Sequence, residues 1–120
     1  MTTEEWVYTL NTLITKTRGG KIAWKPSPDV GGAVALVGDL EVHFLFKGLK
    51  ANGEPVAQVE SLKIELRRPG GAVLAELSHE EAKAAGGQVA DLALQNLFAA
   101  VVVEPRKQAI EDFRKALGEL

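Results

Sequence analysis

The stretch from Leu40 to Lys47 reads LEVHFLFK, and apolar side chains occupy every second position along it. Successive side chains of a β-strand point to opposite faces of the sheet, so this alternation is typical of a strand with one buried face. The apolar face consists of Leu40, Val42, Phe44 and Phe46. The stretch therefore predicts a strand at the centre of the fold, and the rest of the chain can be placed around it.

Strand-like stretches lie on both sides of this one. The pair Gly38-Asp39 separates it from the preceding strand and suits a type II′ hairpin turn. A three-residue loop over 52–54 sets the following strand so that Val42 lies opposite Ile64 on the apolar face. A bulge in the following strand is the alternative that also keeps the apolar residues of both strands on one face. The predicted strands are Lys21 to Lys25, Ala33 to Val37, Leu40 to Lys47, about Val56 to Leu66, and Val73 to Leu77.

A helical pattern opens the chain. Thr2 and Glu5 have the spacing of a capping box, and the pair Gly19-Gly20 ends the helix that follows. The apolar face of this helix consists of Trp6, Leu10, Leu13 and Ile14. Their spacing predicts that the helix packs on the sheet.

Helical patterns also close the chain. Ser78 and Glu81 repeat the capping-box spacing. Gln88 to Val103 is apolar around most of a helical circumference, which is typical of a helix buried on several sides. For the β-branched run Ala99 to Val103, a strand is the alternative. Pro105 suits the first turn of a final amphipathic helix. One side of that helix carries Ile110, Phe113 and Leu117.

These patterns predict an α+β fold with an N-terminal helix, an antiparallel β-meander of four or five strands, and C-terminal helices packed on one sheet face. The chain has 120 residues, within the usual size of one domain, so we expect a single domain over residues 1–120. A composition of 46% hydrophobic and 25% charged residues is typical of a globular protein.

The composition excludes several classes of function. The chain has no cysteine, which excludes disulfides, thiolate metal sites and cysteine nucleophiles, and no metal or cofactor motif is found. A net charge of −2 provides no global attraction to nucleic acid or anionic lipid. Residues 1–5 lack the apolar region of a secretory signal, and the longest apolar run, Leu97 to Val103, is far shorter than the roughly 20 residues of a membrane span. We therefore expect a cytoplasmic protein without cofactor, membrane anchor or nucleic-acid partner.

A family resemblance rests on the junction between the first helix and the first strand. Its motif reads W-x3-L-x2-L-x3-T-x-G-G-K-I-x-W over residues 6–24. The segment resembles the start of certain small, uncharacterised bacterial proteins that open with a helix and a T-x-x-G-K-I-x-W-like junction, followed by a β-meander and a helical C-terminus. This chain departs from them in having two glycines before Lys21. The resemblance implies this order of elements and no activity.

A basic segment surrounds the first glycine pair. It contains Lys16, Arg18, Lys21 and Lys25, with Trp24 among them and no acidic residue. Glycine N–H groups, cations and an indole ring can together bind a phosphate or nucleotide-like ligand. The alternative, which we favour, is a basic helix end followed by a strand that places Trp24 and the lysines on opposite faces.

The reverse face of the sheet is predicted to carry Asp39, Glu41, His43, Lys63, Glu65 and Arg67. Alternate strand residues lie about 6.6 Å apart, too far for one metal ion to bind both Asp39 and His43. Glu41 and His43 are a candidate general acid/base pair for a small enzyme. A solvated face with ion pairs across the strands, such as Asp39 with Arg67, is the alternative that we favour.

The same face carries apolar residues beside His43. A patch formed by Val34, Leu36, His43 and Leu45 would leave apolar surface that monomers usually cover. The favoured hypothesis is therefore a non-catalytic binding or interaction protein that forms a homodimer through this face and engages a protein or a small ligand. The alternatives are an anion- or nucleotide-binding module over residues 16–25 and a small enzyme that uses His43 with Glu41.

Overall fold

The computed structural model describes residues 1–27, 31–46, 62–84 and 88–120. The elements follow in the order α1 (Thr3–Arg18), β1 (Lys25–Pro26), β2 (Gly32–Val37), β3 (Leu40–Phe46), β4 (Leu62–Arg67), β5 (Val73–Ser78), α2 (His79–Ala84), α3 (Gln88–Phe98) and α4 (Glu104–Gly118). A π-helical segment, Ala99–Val103, joins α3 to α4. The predicted α+β architecture is confirmed.

Helix α1 begins and ends where the sequence predicts. The Thr2 N–H donates to Glu5 Oε1 over 2.9 Å, and the Glu5 N–H donates to Thr2 Oγ1 over 3.1 Å, which completes the capping box. The hydrogen bond from the Thr2 backbone lowers the pKa of Glu5. At the other end Gly20 has a φ of 72°, which allows the Lys21 N–H to donate to the Lys16 carbonyl over 2.8 Å.

The five strands form one antiparallel sheet in the order β1-β2-β3-β4-β5. Val37 pairs with Leu40 across the Gly38-Asp39 turn, and Gly38 has a φ of 61°. A positive φ at the first central residue alone is the requirement of the predicted type II′ turn.

The predicted register between β3 and β4 is wrong by two residues. Val42 lies opposite Leu66, not Ile64, and His43 lies opposite Glu65. A shift of two residues keeps every side chain on its own face, so the apolar pattern cannot distinguish the two registers. The loop length decides between them, and the loop and bulge considered above fall in 47–61, outside the described residues.

The predicted first strand, Lys21 to Lys25, is also corrected, because β1 contains Lys25–Pro26 alone. The residues before it are held by α1 rather than by β2. Trp24 Nε1 donates to Thr17 Oγ1 over 2.9 Å, and the Lys21 N–H is occupied at the helix end. The predicted strand alternation, which placed Trp24 and the lysines on opposite faces, therefore does not apply to these residues.

Helices pack on one face of the sheet, as expected, and α1 and α3 supply most of this cover, whereas α4 has no buried residue. The fully buried side chains of the core include Leu10, Phe44, Leu62, Ile64, Leu94 and Leu97. They come from α1, β3, β4 and α3, so the core lies between the helical layer and the sheet. No helix within the described ranges is both long and apolar enough to cross a membrane.

The strand alternative for Ala99–Val103 is wrong, because the helix continues through it with a wider turn. The Glu104 N–H donates to the Ala99 carbonyl, a bond of five residues rather than four. Pro105 explains the widening, since its ring would crowd the Val101 carbonyl in a regular α-helix and it has no N–H to donate. The chain thus passes from α3 into α4 without a break.

Candidate functional site

A largely apolar pocket of about 490 Å³ opens beside Trp24, and we call it the Trp24 pocket. Its walls come from both layers of the fold. The sheet layer contributes Trp24, Lys25, Pro26, Gly31, Gly32, Ala33 and Phe46, and the helical layer contributes Phe98, Val101, Val102, Pro105, Arg106 and Ala109. The pocket therefore lies where the β1 end of the sheet meets the junction of α3 and α4.

A row of aromatic rings builds one side of this pocket. Phe44 lies edge-to-face with Trp24 at 6.5 Å between ring centroids and with Phe46 at 5.6 Å. Phe46 in turn contacts Phe98 of α3 at 5.4 Å. Such edge contacts fix the ring orientations. The row connects the sheet to the helical layer, so this wall has its shape without a ligand.

The π-helical segment builds the opposite side. Val101 and Val102 both line the pocket, although they are neighbours in sequence. The wider turn before Pro105 sets where α4 begins, and Pro105, Arg106 and Ala109 complete this wall. Single π turns inside helices are frequent at functional sites.

Two cations line the pocket, Lys25 from β1 and Arg106 from α4, and none of the described lining residues is acidic. Glu104 precedes Arg106 by two positions, but its two carboxylate oxygens accept from Arg18 Nε and Nη2, each over 3.0 Å. This bidentate pair raises the pKa of Arg18. The carboxylate in the first turn of α4 is thus bound to α1.

The structure divides the predicted basic segment. Trp24 and Lys25 line the Trp24 pocket. Arg18 pairs with Glu104, Lys16 borders a shallow groove on α1, and Lys21 is exposed at the helix end. The five residues do not form one site. The helical wall is not predicted from the sequence, where its signal is the β-branched run Val101 to Val103, separated from Pro105 by Glu104 alone.

The outer face of the sheet, turned away from the helices, holds a charged cluster of Glu41, His43, Lys63, Glu65 and Arg67. The prediction of a solvated face is wrong at its centre, because His43 is 7% exposed and Glu65 is 5% exposed. Arg67, predicted to pair with Asp39, instead places its Nη2 2.5 Å from Glu65 Oε1. The pairing of β3 with β4 sets Glu41 opposite Arg67 and His43 opposite Glu65, which brings these groups side by side.

Some polar atoms of this cluster have an ion-pair or hydrogen-bond partner, and others have none among the described residues. Lys63 Nζ lies 3.8 Å from Glu65 Oε2 and 3.1 Å from Glu76 Oε2, and the Glu76 contact raises the pKa of Lys63. His43 Nε2 lies 3.6 Å from Glu41 Oε1, too far for a hydrogen bond. Among the residues that the structure describes, neither ring nitrogen of His43 has a hydrogen-bond partner. His43 is therefore a buried polar side chain that the described part of the chain leaves unsatisfied.

The predicted interface residues differ in their exposure. Leu36 is 70% exposed, whereas Val34 and Leu45 are half-buried and His43 is buried. Leu36 is thus the part of this predicted patch that presents most apolar surface to solvent.

A second histidine forms a contact that the sequence analysis did not find. His79 Nδ1 lies 2.5 Å from Asp91 Oδ1, and Gln95 Nε2 donates to the other carboxylate oxygen over 3.3 Å. Twelve positions separate the two residues, so no local spacing rule connects them. The contact joins the start of α2 to α3.

Within the described ranges, no group of three His, Asp or Glu side chains is placed to hold a metal ion. No model of a known protein family, no curated protein and no solved structure matches the chain. The geometry of these regions is therefore the basis for assigning a function.

Proposed function

We propose that the protein is a non-catalytic binding protein that takes a small, largely apolar ligand in the Trp24 pocket. The observation that supports this proposal is a pocket of about 490 Å³ with mainly apolar and aromatic walls. Pockets for small molecules usually measure about 300–1,000 Å³ and combine apolar walls with a few polar groups. The Trp24 pocket has both properties.

The hydrogen bonds of the pocket walls favour an apolar ligand body. The indole N–H of Trp24 is already bound to Thr17, so the side chain offers its ring to a ligand and not its donor. Phe46, Phe98 and Val102 have no polar side-chain atom. Removing apolar ligand surface from water against such walls is favourable by about 25 cal/mol per Å².

The test is to narrow the pocket from its helical wall. In Val101→Phe the larger side chain occupies ligand space, so we expect the affinity for the neutral fluorescent probe N-phenyl-1-naphthylamine to fall at least tenfold. The matched control is Val89→Phe, which makes the same change at an exposed position of α3. The affinity of each variant is measured from the fluorescence of the probe, which is excited in its own absorption band. Equal binding by the two variants, or no binding by the unsubstituted protein, would count against the proposal.

A second candidate function is self-association through the outer face of the sheet. It is supported by the 70% exposure of Leu36, an apolar side chain on that face, with the half-buried Val34 and Leu45 on the same face. Exposed apolar surface with polar groups at its rim is typical of protein interfaces. A second copy would cover Leu36 and remove its apolar surface from water.

Substitution of Leu36 tests this candidate. We expect light scattering to report a dimer for the unsubstituted protein and a monomer for Leu36→Glu. In a symmetric dimer the two introduced carboxylates, one from each subunit, would lie close together and repel each other. Tyr8→Glu, at an exposed position of α1, is the control and is expected to stay dimeric. A monomeric unsubstituted protein at micromolar concentration would exclude this candidate.

A catalytic role for Glu41 with His43 has less support. Their 3.6 Å separation is compatible with a weak contact, but a general base must also reach the substrate, and His43 is buried. The cytoplasmic location stays a prediction.

A further inference from the structure

We infer that the ligand of the Trp24 pocket carries an anionic group at one end, and that Lys25 at the rim binds this group. The inference rests on the proposed function and names the chemical class of the ligand. It places the apolar body of the ligand between Phe46, Phe98 and Val102 and its charged end towards β1.

The side chains that give the pocket its charge are cationic. The chain as a whole has a net charge of −2, yet the charged residues that line the pocket are Lys25 and Arg106. No acidic side chain belongs to the described lining. A site that contained only apolar walls would bind neutral compounds, whereas a cationic rim at the end of apolar walls suits an amphiphile with a negative headgroup.

The carboxylate nearest to Arg106 in sequence, that of Glu104, is paired with a residue of α1. Glu104 lies in the same first turn of α4 as Arg106, and left unpaired it would oppose an anionic ligand. Both of its oxygens are instead bound by Arg18 over 3.0 Å. Bidentate pairs of this kind hold a carboxylate in one orientation. Arg18 therefore holds the Glu104 carboxylate against α1, where its negative charge is paired.

Lys25 presents its cation at the pocket. It is exposed, it lines the pocket, and among the described residues it has no ion-pair partner. Its ammonium group is thus available to a ligand, while the donor of Trp24 is not. Hydrogen bonds between an ammonium and a carboxylate are about twice as strong as neutral ones, so this contact is expected to contribute measurably. The ligand class that fits is a medium-chain or aromatic carboxylate.

The experiment compares three probes that share one apolar chain: octanoate, octanol and octylammonium. Calorimetric titration of the full chain is expected to give an affinity for octanoate about tenfold above that for octanol, with octylammonium the weakest. In Lys25→Gln the preference for octanoate over octanol is expected to fall to about twofold. Lys21→Gln is the matched control, because Lys21 is an exposed lysine that does not line the pocket.

The outcomes separate this inference from the proposed function. Equal affinities for octanoate and octanol would overturn the inference and leave the apolar pocket supported. An octanoate preference that survives in Lys25→Gln would also overturn it, since the charge would then be bound elsewhere. Binding of none of the three probes would count against the proposed function itself.

Discussion

Phe44→Ala is expected to lower the free energy of unfolding by about 3–5 kcal/mol, the usual cost of removing a large aromatic side chain from a core. Phe44 is 0% exposed, and its ring contacts both Trp24 and Phe46. Alanine would leave a cavity beneath the sheet and take one edge partner from each of these rings. Because domains are stable by only about 5–15 kcal/mol, the loss is a large fraction of the total. Urea unfolding followed by far-UV circular dichroism measures it.

The matched control is Phe113→Ala, which removes the same ring from α4. Phe113 is 64% exposed and α4 has no buried residue, so this variant is expected to change the free energy of unfolding by no more than about 0.5 kcal/mol. Similar losses in the two variants would contradict the assignment of the Phe44 face to the core. A Phe44→Ala protein that is folded but binds N-phenyl-1-naphthylamine weakly would further connect the aromatic row to the pocket.

The elements that the sequence predicts well are those decided by neighbouring residues. The alternation of LEVHFLFK assigns β3 and its buried face, and the two capping boxes place the starts of α1 and α2. In each case the signal lies within a few positions of the element, as in the bonds between Thr2 and Glu5 and between Ser78 and Glu81. Local propensity and burial agree at these positions, so pattern alone is sufficient.

The features that the sequence predicts poorly depend on contacts between residues far apart along the chain. The Trp24 pocket requires Phe98 and Val101 to face β1, and the bond between Arg18 and Glu104 joins residues 86 positions apart. Trp24 was predicted within a strand, but its hydrogen bond to Thr17 keeps it beside α1. No periodicity encodes such pairs, since a helical or strand pattern specifies a face and not the partner that covers it.

Arg67→Met is the substitution on the outer face with the largest expected effect. Glu65 is 5% exposed, and Arg67 Nη2 lies 2.5 Å from it, so methionine would leave a buried carboxylate with Lys63 Nζ at 3.8 Å as its nearest cation in the described structure. Breaking a buried pair by removing one partner costs about 3–5 kcal/mol. Arg67 is partly exposed, which reduces the expected loss to about 2–3 kcal/mol. Urea unfolding measures the difference.

Two comparisons show whether burial of Glu65 is the cause. Lys63→Met removes a more exposed cation and is expected to cost less than about 1 kcal/mol. The double variant Glu65→Leu with Arg67→Met removes both charges, and it is expected to lie within about 1 kcal/mol of the unsubstituted protein, because apolar residues of similar volume usually replace a buried pair without loss. Equal losses in Arg67→Met and Lys63→Met would instead mean that water reaches Glu65.

The same double variant separates the two proposed functions. Glu65 and Arg67 lie on the outer face, whereas the walls of the Trp24 pocket come from the core face and the helices. Sites without shared contacts usually behave independently. Octanoate affinity is therefore expected to be unchanged in the double variant, while a dimer formed through the outer face is expected to change its dissociation constant, because that face has lost the partly exposed cation of Arg67. A parallel change in both measurements would require a coupling between the faces of the sheet.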